Sequence, residues 1–96
     1  MKKENYNIAI LPGDGIGPEV VGEAVKVLQA VAGASGFSVA LQYGKVGGVA
    51  IDEFDTPLPE ATLDTCKAAD AVLLGAIGAP QYDNLPSDKR PETGLL

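Results

Sequence analysis

The sequence predicts an α/β fold built on a mostly parallel sheet with flanking helices. Three observations lead there. Asn7-Ile8-Ala9-Ile10-Leu11 is a nearly continuous apolar run, the pattern of a strand buried on both faces of a parallel sheet. A stripe of apolar residues at helical spacing follows it, and after that comes an alternating strand pattern. Strand, crossover helix and strand in that order make the unit from which parallel sheets are assembled.

The elements follow in order. Pro12-Gly13-Asp14-Gly15-Ile16-Gly17 breaks the first strand. Pro18 suits the first position of a helix, where its missing N–H would have no partner in any case. Glu19 in the first turn complements the helix dipole. Val21, Ala24, Val25, Leu28, Val31 and Ala32 recur at intervals of three and four and form one apolar face. Gly33 is the predicted stop. Gly36 then opens a strand in which Phe37, Val39, Leu41 and Tyr43 alternate with Ser38, Ala40 and Gln42, a half-buried pattern.

Val49 to Phe54 predicts a short helical segment, and Asp55-Thr56-Pro57-Leu58-Pro59 a rigid connector. Glu60 to Ala69 reads as a second amphipathic helix, with Ala61, Leu63, Cys66 and Lys67 on it. Asp70 separates that helix from a strand over Ala71–Ile77. Three strands with two or three helices leave a sheet edge and one face uncovered. Parallel sheets normally pack on both faces, so the chain is not expected to be a stable unit alone.

Composition narrows the function. The 96 residues make at most one domain, with 46% apolar content and therefore a globular chain. Net charge is −6, from 13 acidic and 7 basic residues. The basic residues form no stripe, which argues against nucleic acid as a partner. No histidine is present, so acid–base work would fall to Asp, Glu, Lys or Tyr. The single cysteine, Cys66, reads as a small buried thiol on a helix face. The N-terminus has no long apolar core of a signal peptide, and no run approaches the ~20 residues of a membrane helix. A cytoplasmic protein with no membrane partner is the expectation.

Two stretches could carry chemistry. Gly13-Asp14-Gly15-Ile16-Gly17-Pro18 follows a strand and precedes a helix, as a dinucleotide-binding turn does. Proline stands where G-x-G-x-x-G requires its third glycine, so a tight turn is preferred to a standard pyrophosphate cradle. Asp14 and Glu19 form a conceivable carboxylate pair, although a turn-stabilising Asp and a first-turn Glu explain them better. The stronger candidate is Gly75 to Leu96, a long segment leaving the carboxyl end of a strand, where open α/β sheets place their ligands. Pro80, Pro86 and Pro91 restrict its conformations. Lys89 and Arg90 offer cations for a carboxylate or phosphate. Glu92, Leu95 and Leu96 share a face on a helical turn, a carboxylate beside two leucines. The chain ends there without cap, charge or breaker and reads as cut.

Ile8 to Val20 (IAILPGDGIGPEV), Gly47 to Asp52 (GGVAID) and Leu73 to Leu96 (LLGAIGAPQYDNLPSDKRPETGLL) resemble the 3-isopropylmalate dehydrogenase family, in register over essentially the whole chain. The first motif is shared by the wider β-decarboxylating dehydrogenases. The resemblance implies a non-Rossmann first domain, of which residues 1–96 would be the N-terminal part. It implies NAD-dependent oxidative decarboxylation of (2R,3S)-3-isopropylmalate to 4-methyl-2-oxopentanoate in leucine biosynthesis, with Mg2+ or Mn2+, in a homodimer. By the same resemblance Ile16, Ala79, Pro80, Gln81, Tyr82, Asp83, Asn84, Leu85, Pro86, Ser87, Asp88, Lys89, Arg90, Pro91 and Glu92 belong to the NAD site. Glu92, Leu95 and Leu96 would meet the substrate. The family's carboxylate-binding arginines, its catalytic tyrosine and lysine and its metal-holding aspartates have no counterpart here. No catalytic or metal-binding residue is therefore expected in this chain, and the piece alone is expected to be inactive. Ala79 replaces a common glycine and Tyr82 a common tryptophan. A homoisocitrate- or tartrate-type enzyme and a non-catalytic truncated binding module are the alternatives.

Overall fold

The computed structural model describes residues 4–78, 80–82, 84–86 and 90. Its element order is β1 (Asn5–Gly13), α1 (Gly17–Ser35), β2 (Ser38–Tyr43), α2 (Gly48–Phe54), α3 (Glu60–Ala68) and β3 (Ala71–Ala76), followed by a 3-10 turn at Pro80–Tyr82. The three strands form one parallel sheet in the order β2-β1-β3. Ile8 lies opposite Leu41 on one side and Ala71 on the other. The predicted α/β class and mostly parallel sheet are therefore what the chain adopts.

β1 is central because its sequence can be dry on both faces. Ile8, Ala9, Ile10 and Leu11 are all buried. Ile8 and Ile10 meet Val21 and Val25 of α1, with Tyr6, Leu28, Val39, Leu41 and Leu73 packed around them. On the opposite face Leu11 lies beside Gly44 and Thr62, and Ala9, Val46 and Ala50 are buried. The Thr62 hydroxyl donates to the Lys45 carbonyl at 2.8 Å, which ties α3 to the segment leaving β2. Asp70 pins the start of β3 to β1: its N–H donates to the Asn7 carbonyl, and its carboxylate accepts the Asn7 N–H at 2.8 Å.

Several expectations are corrected. α1 does not stop at Gly33 but runs to Ser35. Gly36 takes the left-handed capping conformation at φ 80, and its N–H donates to the Ala32 carbonyl at 3.0 Å. A glycine inside a helix costs only about 1 kcal/mol, and the helix end is closed at Gly36, where the Gly36 and Phe37 N–H groups both donate to the Ala32 carbonyl. Gly36 thus caps a helix and does not open β2, which begins at Ser38. Val31 is exposed, and with Val20 and Val27 it forms a second apolar stripe on α1, turned away from the sheet. Tyr43 ends β2 exposed. In α3 the buried residue is Thr62, while Cys66 is half-buried. β3 ends at Ala76, one residue early, and is not buried on both faces: Val72 and Leu74 are 48% and 46% exposed. The expected uncovered sheet face is thus present, on β3.

This placing of the core sets a contrast. Ile10→Ala should lower the unfolding free energy by about 2–5 kcal/mol. Val27→Ala should change it by less than about 0.5 kcal/mol. Urea unfolding followed by circular dichroism measures both, and equal costs would contradict the burial described above.

Candidate functional site

The carboxyl ends of β1 and β3 and the N-terminus of α2 meet at one side chain, Asp14. It sits in the turn between β1 and α1 and is 3% exposed. Its Oδ2 accepts the N–H of Gly48 at 2.6 Å and that of Gly78 at 2.9 Å. Its Oδ1 accepts the N–H of Val49 at 2.8 Å. The Asp14 N–H donates to the Ala76 carbonyl at 2.7 Å, and the Asp14 carbonyl accepts from Gly17 at 2.8 Å. One residue therefore closes its own turn, binds the end of β3 and caps α2 from a distance. No side chain within α2 caps that helix, and the negative charge lies where the helix dipole favours it.

This settles the reading of Asp14 and Glu19. Glu19 is exposed on α1, while Asp14 is buried with its oxygens committed to backbone N–H groups. They form no acid–base pair. The turn-stabilising reading holds but understates Asp14, because two of the segments it fixes are remote in sequence.

α2 begins against the ring of Tyr82. A Cβ on Gly48 would overlap the Tyr82 ring atoms, so only glycine permits this approach. The Tyr82 hydroxyl donates to Asp52 Oδ2 at 2.7 Å. That bond raises the tyrosine above its ordinary value of 10.0, burial adds to the effect, and the charges of Asp52 and Asp14 contribute after it. The sign is that of an acid holding its proton more tightly when folded. The stability involved is complete below the ordinary value and is lost as pH rises through the raised one.

The expected cofactor residues are distributed as follows. Ile16 stands at the N-cap of α1 and is 67% exposed. Its neighbour Gly17 packs against Pro12 and Ala76, so Ile16 sits at the lip from which the loop after β3 departs. Pro80, Gln81, Asn84 and Pro86 are exposed, and Tyr82 and Leu85 are half-buried. Arg90 is exposed and donates from Nε to the Leu85 carbonyl at 3.1 Å, which uses one of its five N–H donors within the loop. Ala79, Asp83, Ser87, Asp88, Lys89, Pro91, Glu92, Leu95 and Leu96 lie outside the described residues. A groove of about 430 Å3 lined by Asn7, Gln42, Asp64, Thr65, Ala68 and Ala69 involves neither Ile16 nor the loop. Among the described residues no three acidic or cysteine side chains converge as a metal site would require.

A family model described as isocitrate/isopropylmalate dehydrogenase matches residues 7–96. The chain belongs to the isocitrate/isopropylmalate dehydrogenase family. Within that family it is 57% identical over 92 residues to a 3-isopropylmalate dehydrogenase of Nitratidesulfovibrio vulgaris and 55% identical over 96 residues to one of Aquifex aeolicus. These alignments cover 96% and 100% of this chain but 26% of each relative, so the chain spans about a quarter of their length. Among solved family structures, a β-decarboxylating dehydrogenase from Thermococcus kodakarensis superposes with a TM-score of 0.69 at 42% identity. It covers 84% of this chain and 23% of that one. An isocitrate dehydrogenase from Methylococcus capsulatus gives 0.69 at 38% identity, covering 85% and 23%.

Two outcomes test the site. Asp14→Ala would strand three N–H groups, at about 1–3 kcal/mol for each one left buried and unpaired. It should cost more than about 3 kcal/mol in urea unfolding and abolish amide protection at Gly48, Val49 and Gly78. Separately, a phenolate absorbance titration, with Tyr82→Phe subtracted, should show Tyr82 ionising above its ordinary value. Ionisation at or below that value would remove the Asp52 bond from the description.

Proposed function

We propose that this chain is the N-terminal part of the first α/β domain of an NAD-dependent 3-isopropylmalate dehydrogenase. The observation that carries it is the identity of 55–57% to relatives of that name across nearly the entire chain, including the loop after β3. The whole protein would oxidise and decarboxylate (2R,3S)-3-isopropylmalate to 4-methyl-2-oxopentanoate in leucine biosynthesis. It would act as a cytoplasmic homodimer. The lower identity to the solved isocitrate dehydrogenase, 38%, favours isopropylmalate over a tricarboxylate.

Bound NAD would accept the hydride from the secondary alcohol of the substrate. This chain's part is to bind and orient. Ile16 offers an exposed apolar surface beside the loop, fit to cover a flat cofactor group. Pro80, Gln81, Tyr82, Asn84, Leu85, Pro86 and Arg90 would follow the dinucleotide, together with Ala79, Asp83, Ser87, Asp88, Lys89 and Pro91. Glu92 would meet the nicotinamide ribose, and Leu95 and Leu96 would seat the isopropyl group. An apolar pocket of this kind discriminates by about 1–3 kcal/mol per methylene. Mg2+ or Mn2+ would polarise the substrate oxygen, and its ligands are proposed, on the family resemblance alone, to lie outside this chain.

Steady-state assays of the full-length protein should give a higher kcat/KM for isopropylmalate than for isocitrate, homoisocitrate or tartrate. The purified 96-residue chain should form no NADH. A preference for a tricarboxylate, or turnover by the chain alone, would overturn the proposal.

A further inference from the structure

We propose that Tyr82 is a positioning residue: its hydroxyl on Asp52 and its ring on Gly48 hold the loop leaving β3 along one turn of α2, in the shape that receives the dinucleotide. The proposal rests on the reading above that this loop meets the cofactor, and it deepens that reading.

The geometry is a clamp with two jaws. Gly78 is bound through its N–H to the Asp14 carboxylate, which also takes the N–H groups of Gly48 and Val49. Tyr82 is bound through its hydroxyl to Asp52. Gly78 and Tyr82 are four residues apart on the loop, and Gly48 and Asp52 are four apart on α2. Four residues are about one helical turn, or ~6 Å of rise. The loop is thus fixed at both ends of a single turn. One point of attachment would leave it free to swing, whereas two restrain position and direction together.

Three features make the second jaw more than a chance surface contact. Gly48 supplies the space for the ring, and any side chain there would expel it. The hydroxyl donates to a carboxylate, a stronger bond than one to a neutral acceptor. The Tyr82 carbonyl in turn accepts the Leu85 N–H at 3.2 Å, and the Leu85 carbonyl accepts from Arg90. The described residues after the clamp, Leu85 and Arg90, are therefore built out from Tyr82. Holding a binding loop in its bound shape before the ligand arrives lowers the entropy lost on binding.

The experiment is a double-mutant cycle with Tyr82→Phe and Asp52→Ala, and Asp52→Asn as the variant that keeps an acceptor. Amide exchange is read on the full-length protein without ligand. Each single change should speed exchange at Leu85 roughly three- to tenfold. The double variant should be no faster than either single one, and Asp52→Asn should restore protection. Exchange at Ile10 should not move, which separates loosening of the loop from general unfolding. NAD titrated calorimetrically into the full-length protein should bind Tyr82→Phe more weakly by a similar factor. Unchanged Leu85 exchange, or additive effects, would overturn the clamp. Equal NAD affinity of Tyr82→Phe and the unaltered protein would overturn the positioning role. If NAD binds neither protein, the cofactor reading of the loop fails, and the exchange data still decide whether the clamp exists.

Discussion

A single carboxylate keeps the carboxyl end of the sheet in shape. Asp14, itself buried, gathers N–H groups from α2 and from the segment after β3, that of Gly48 fully buried and those of Val49 and Gly78 partly so. Each of those groups would lose its hydration on burial and needs an acceptor in return. A carboxylate is suited to three of them because it has two oxygens, several lone pairs and no donor of its own. An asparagine in its place would bring an NH2 toward donors that it cannot accept. The turn before α1, the entry to α2 and the exit from β3 therefore cannot shift independently.

How much of this was legible in the residues depended on distance along the chain. β1 was readable because Ile8 to Leu11 is apolar without interruption, short, isoleucine-rich and ended by Pro12-Gly13, which fits a doubly covered strand. The α1 face was readable at Val21, Val25 and Leu28, where helical period and burial coincide. It failed at Val31, because an apolar stripe wider than the sheet beneath it leaves part of itself in water. Gly33 misled because local propensity marks only a weak point, while the left-handed cap that ends the helix is at Gly36. The role of Asp14 could not be read locally, since its partners lie 34, 35 and 64 residues away. The clue present in the chain was an acid between glycines, with Gly47-Gly48 elsewhere to allow close approach and Gly78 to take a positive φ. The Tyr82–Asp52 bond spans 30 residues and had no such clue. The loop itself was visible from its length, its prolines and its exit from a strand, and the family resemblance agreed with the family match found later.

The sheet is covered unevenly. α1 shields one face of all three strands, and the other face is sealed only around Ala9 and Leu11. Val72 and Leu74 on β3 and the Val20, Val27 and Val31 stripe on α1 remain in water. Parallel sheets are otherwise found with both faces packed. These five apolar side chains lie on elements next to the loop and its turn, so whatever covers them also bears on the site.

The position of β1 between two parallel partners has a consequence for how the chain comes into being. The central strand precedes both of its partners in the chain, yet its second neighbour begins only at Ala71, and Asp14 is not satisfied until Gly78 has been made. Closing contacts across such separations is slow compared with forming α1, which needs only its own residues. During synthesis the Ile8–Leu11 segment must therefore wait, greasy and half-paired, until the residues through Gly78 have emerged from the ribosome. An early pause in translation after β2 would expose that strand to neighbouring nascent chains, and it marks the interval in which a chaperone would matter most to this fold.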